Sequence, residues 1–140
     1  MNLSSNVLIT KVQDHSTAAT SAVNSTGVDM SGYEGVLFIT SFGTAAANNT
    51  VNAAQGADNS ADWVDLTGTS VSAGTSDEDV WIDVYRPTER YVRLEAARGT
   101  SSTLESIWAI QYGPRKAPVD NTTTGTIIGE LHASPAEGTA

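Results

Sequence analysis

Two histidines, a run of carboxylates between Asp58 and Asp83, and four arginines within thirteen residues are the side chains of this chain whose types could do chemistry. His15 and His132 lie near opposite ends, and there is no cysteine, so a zinc site would need both histidines plus carboxylates. They read more simply as exposed residues. A Ser-His-Asp triad needs a nucleophile held against an oriented base. No serine here sits in Gly-x-Ser-x-Gly, and neither glycine-rich phosphate loop is present. The acidic run comprises Asp58, Asp62, Asp65, Asp77, Glu78, Asp79 and Asp83. Paired carboxylates across a cleft would cleave a glycosidic bond. The stretches Asp58–Asp62 and Asp77–Asp79 offer oxygen ligands for calcium, but neither matches the twelve-residue calcium loop. A solvated acidic surface is the plainer reading. The expectation is therefore a protein that is not an enzyme and uses no metal and no cofactor.

The cations are more concentrated. Arg86, Arg90, Arg93 and Arg98 follow one another closely, and Arg115 and Lys116 come after the last strong strand. One reading is local neutralisation of the domain's own carboxylates, worth little per pair at a surface. The other is a positive patch for an acidic partner, since the planar guanidinium fork binds carboxylates bidentately. Pro87 stiffens the turn between Arg86 and Arg90. The aromatic residues Trp63, Trp81, Trp108, Tyr33, Tyr85, Tyr91 and Tyr112 allow a sugar-stacking platform, but core or sheet-face packing is the plainer reading.

The elements that would position these groups are strands. The 140 residues suffice for one domain with a real core. The net charge of −9 repels nucleic acid and anionic membrane surfaces, so neither is an expected partner. Residues 1–10 lack the basic leader of a signal peptide, and no segment reaches the roughly 20 apolar residues of a membrane span. Gly35–Phe42 is apolar on both faces, as a central strand is. Val80–Tyr85 and Tyr91–Ala96 alternate and read as a hairpin. Thr50–Gln55, Trp63–Thr67 and Leu104–Tyr112 read as further strands, the last with Trp108, Ile110 and Tyr112 on one face. Val71–Asp77 and Gly99–Ser102 have turn composition, and Thr17–Val28 reads as a weak strand. This predicts an all-β jelly roll or β-sandwich of about eight short antiparallel strands over 17–113. An N-terminal arm (1–16), able to pair at one edge, and an extended C-terminal arm (114–140) flank it. In that second arm Ile127 and Ile128 form an apolar anchor suited to strand addition on a neighbour.

Tyr33–Phe38, Asp83–Arg93 and Ile107–Gly113 resemble segments of small proteins of tailed bacteriophages. In length and all-β character the chain is similar to capsid cementing (decoration) proteins, such as the jelly-roll cement protein of a Bordetella phage. The resemblance spans roughly residues 30–118, and its motifs are structural rather than catalytic. It implies a homodimer on the outer surface of the virion that binds the major capsid protein and braces the shell. It assigns no contact residues. From the residues themselves, the expected contacts are Arg86, Arg90, Arg93, Arg98, Arg115, Lys116, Ile127 and Ile128. A carbohydrate-binding module on a virion surface and a tail or neck component are the alternatives.

Overall fold

The computed structural model describes all residues except Ala47, Thr100, 122–125, Pro135 and Ala140, which removes part of the turn expected at Gly99–Ser102 and part of the C-terminal arm. Among the described residues a 3-10 turn, Leu3–Ser5, precedes twelve strands: β1 (Val7–Gln13), β2 (Ser16–Ala19), β3 (Val23–Asn24), β4 (Val28–Asp29), β5 (Gly35–Phe42), β6 (Asn49–Gly56), β7 (Val64–Asp65), β8 (Val71–Ala73), β9 (Glu78–Tyr85), β10 (Tyr91–Ala97), β11 (Ser102–Leu104) and β12 (Ile107–Tyr112). Four strands form one sheet in the order β1-β12-β5-β9. The second sheet runs β3-β10-β6-β7, with β4 also on β10 and β8 on β6, and β11 pairs with β2 apart from both. Every ladder is antiparallel.

The two large sheets form a β-sandwich, as the alternation predicts. Val36, Phe38, Thr40 and Phe42 of β5 and Val80, Ile82 and Val84 of β9 point inward from the first sheet. Val51 and Ala53 of β6 and Val92, Leu94 and Ala96 of β10 meet them from the second. Among the described residues there are twelve strands rather than about eight, because six of them are pairings of two to four residues, too short for alternation to announce them. Val71–Ala73, expected as a turn, is one of these. Leu104–Tyr112 is not one strand. Glu105 donates its N–H to Ser41 O (2.9 Å) and the chain changes sheets there, although Trp108, Ile110 and Tyr112 do share a face. Residues 7–13 of the expected N-terminal arm become the edge strand β1, paired to β12.

The hairpin is corrected. β9 pairs with β5 and β10 with β6, so Arg86–Arg90 is an arch from one sheet to the other. Alternation shows only which residues face the core. Here the two inward rows face it from opposite sides, and pairing β9 to β10 edge to edge would put them in one sheet. The arch is held by its neighbours. Arg86 takes a left-handed φ of 52° and donates its N–H to Glu34 O. Gln55 Oε1 accepts from the N–H groups of Thr88 (3.2 Å) and Glu89 (3.4 Å), and Gln55 Nε2 donates to Thr88 Oγ1 (2.8 Å).

Candidate functional site

The arch, the Met30–Glu34 segment and the Gly113–Arg115 segment enclose an open groove of about 780 Å3 at one end of the sandwich. Arg86, Arg90 and Arg115 all line it, together with Glu34 and Glu89. These three cations come from two places in the sequence. They meet because Arg115 donates its N–H to Gly32 O (2.8 Å), which brings the start of the C-terminal arm beside the arch.

The three are not equivalent. Arg90 is tied bidentately to Asp29, Nε to Oδ1 at 3.1 Å and Nη2 to Oδ2 at 2.7 Å. That hydrogen-bonded guanidinium is the main reason the Asp29 carboxyl is held below its ordinary range, and Asp29 in turn raises Arg90. Arg86 is freer. Its side chain is 69% exposed, 4.0 Å from Glu34 and 5.0 Å from the centre of the Tyr85 ring. Arg115 and Lys116 are exposed.

Arg93 and Arg98 lie elsewhere. On the outer face of the second sheet, Arg93 bonds Glu95 and stacks on the Trp63 ring at 4.4 Å. Arg98 works inside the fold. Its Nε donates to Ser21 O (2.7 Å), and its Nη1 donates to Thr17 O (2.7 Å) and Ser102 O (3.2 Å), fastening the β2 region to β11. For Arg90, Arg93 and Arg98, internal pairing describes the geometry better than a common patch. Ile127 and Ile128 border a second groove, about 380 Å3, whose other walls include Ile9 and Trp108. The arm reaches it past Val119, which donates its N–H to Ser5 O (2.9 Å). Asn121 then bonds the free edge of β1: its Oδ1 accepts from Ile9 N–H (2.8 Å) and its Nδ2 donates to Val7 O (2.8 Å).

Two carboxylates of the acidic run brace their own loops, and Asp65 and Asp83 bond Asn52 and Tyr112. Asp58 Oδ1 accepts from Ser60 N–H, Ala61 N–H and Ser60 Oγ, bonds that lower its pKa, led by the Ser60 amide. Glu78 Oε2 accepts from the N–H groups of Gly74 and Thr75. His15 lies 3.1 Å from Glu105, and His132 lies 2.9 Å from Glu130. Among the described residues no group of three His, Asp or Glu side chains converges as metal ligands would.

The feature that sequence reasoning placed least well is the outer face of the four-stranded sheet. Trp81 is 67% exposed, Tyr85 58% and Ile39 37%, and Trp108 is half-buried beside them. Strand alternation carried the signal: Trp81 and Tyr85 fall out of phase with the buried Val80, Ile82 and Val84.

No protein-family model matches the chain, and no curated protein matches it. Among solved structures, the crystal structure of the PBSX exported protein XepA is similar, with a TM-score of 0.55 and 20% sequence identity over 93% of this chain. The match takes in 45% of that chain, so this chain spans less than half of XepA's length. The likeness is one of fold: both contain this all-β sandwich.

Proposed function

We propose that the chain is a virion-related structural protein that binds the outer capsid surface as a homodimer and cements contacts between major capsid protein subunits, without enzymatic activity. The observation that carries the reading is the groove where Arg86 and Arg115 meet beside the Asp29-paired Arg90 on a chain of net charge −9. Such a spot favours an acidic surface loop and fixes its orientation more than its affinity. The phage-protein resemblance of the Tyr33–Phe38, Asp83–Arg93 and Ile107–Gly113 segments supports a virion-related reading, and the fold shared with the PBSX exported protein XepA is compatible with it. A rigid sandwich with an arch at one end and an arm along one edge suits adhesion. Two weak contacts per dimer would suffice, because the second forms at high effective concentration.

Capsids stripped of the protein and then re-decorated test it. Re-decoration is expected to raise survival under heat or osmotic shock, and equal survival would remove the cementing role. The double variant Arg86→Glu/Arg115→Glu is expected to lose capsid retention while Asp62→Asn keeps it. Equal retention of both would remove the groove from the contact.

A further inference from the structure

We propose a second binding site, for an extended neutral polysaccharide, across the outer face of the four-stranded sheet. It does not rest on the capsid reading and lies on different residues. The ladder register places Trp108 opposite Ile39 and Ile39 opposite Trp81, so the three form one row running across the strands. Neighbouring strands are about 4.8 Å apart, which sets the backbone positions that carry the two indoles about 10 Å from each other. That is the length of two sugar units in an extended chain of pyranoses. Trp81 is largely exposed, and Ile39 between the two is a low apolar step rather than a wall.

The flank of this row is polar. A groove of about 320 Å3 runs beside it, lined by Ile39, Ser41, Asp79, Glu105, Ser106 and Trp108. Ser41 pairs with Asp79 two register positions beyond Ile39 and Trp81, the next pair on the same face. Pyranose rings have this same division: axial C–H bonds give an apolar face that stacks on an indole, and ring-edge hydroxyls donate to carboxylates. Two carboxylates in the groove and a net charge of −9 disfavour acidic glycans, so the ligand is a neutral one. A second copy of the chain could cover an apolar face, but a polar flank of serines and carboxylates along the row suits hydroxyls better.

The test is tryptophan fluorescence and native affinity electrophoresis of the full chain with cellohexaose and chitohexaose as probes. A saturable spectral shift is expected with at least one probe. In Trp81→Ala, affinity is expected to fall by about tenfold or more, the size of one lost stacking ring. Asp79→Asn should weaken binding less, and unchanged thermal unfolding of both variants shows that they still fold. Absence of any shift or retardation with either probe overturns the site. So does concentration-dependent dimerisation that Trp81→Ala abolishes, because the face would then belong to a second copy.

Discussion

Tyr112 Oη donates a 2.7 Å hydrogen bond to Asp83 Oδ1, and the phenol reaches it by lying across Gly35. Tyr112 is on β12, Gly35 on β5 and Asp83 on β9, so one side chain ties together three neighbouring strands. A side chain on Gly35 would occupy the space of the ring. Burial, and then the Asp83 carboxylate, push the Tyr112 hydroxyl well above its ordinary value of 10.0.

Alkaline stability should report this bond. The raised pKa means the folded chain keeps a proton that the unfolded chain gives up near pH 10.0. The contribution is whole below that value and is lost as pH rises above it. Denaturant melts at pH 8 and pH 11 should therefore show a steeper loss in the parent than in Tyr112→Phe. At pH 8 the variant should cost about 1 kcal/mol, the net worth of one hydrogen bond. Equal losses for both proteins would contradict the assignment.

Gly35→Ala should destabilise by about 1–3 kcal/mol, the range for overpacking a filled space. The cause is the Tyr112 ring, so the same substitution in a Tyr112→Ala background should cost far less. A double-mutant cycle by urea unfolding measures the difference, and additive costs would mean that the ring is not what Gly35 accommodates.

Asp29 and Arg90 make an exposed pair. The lowered Asp29 pKa gives stability that is present above its ordinary 3.8 and is lost as pH falls through the depressed value. Asp29→Asn should flatten the acid limb of the stability profile. The effect at neutral pH should stay under about 1 kcal/mol, because both side chains are open to water and salt. A difference that survives 1 M salt unchanged, about 3 Å of screening length, would contradict this account.

Arg98→Ala should cost about 2 kcal/mol, since it strips charge-assisted bonds from the carbonyls of Ser21, Thr17 and Ser102. Arg98→Lys should rescue little, because an ammonium cannot span the three acceptors as a planar fork does. Faster hydrogen exchange around residues 16–21 in both variants checks it. Full rescue by lysine would show that charge alone is needed there.

The sandwich was legible wherever the inward row is bulky. Val36, Phe38 and Phe42 mark β5, Val80, Ile82 and Val84 mark β9, and Val92 and Leu94 mark β10. β6 was faint because its buried row holds one bulky apolar residue, Val51, among Asn49, Ala53, Ala54 and Gly56. At Gly56 the neighbours that limit size come from outside the strand. Trp63 packs over Gly27 and Gly56, and a larger residue at Gly27 would strike the indole. The arch read as a hairpin because its five residues carry turn chemistry, while the choice of partner strand rests on β5 and β6, far away in sequence. For the same reason the Arg86, Arg90 and Arg115 groove was only half visible. Closeness of Arg86 and Arg90 was written in the chain, but the approach of Arg115 depends on one backbone bond to Gly32. Arg93 and Arg98 matched the cationic pattern equally well, yet their partners Glu95, Trp63 and Ser21 are set by packing.

The amide of Asn121 imitates a peptide group of a neighbouring strand, answering one donor and one acceptor of β1. At Val7 and Ile9 this amide is a latch rather than a wall, while further along β1 the Thr26 N–H bonds Val12 O. Were the arm drawn away, Ile9 N–H and Val7 C=O would be left as open sockets at which a foreign strand could dock, and Asn121→Ala would leave them so permanently.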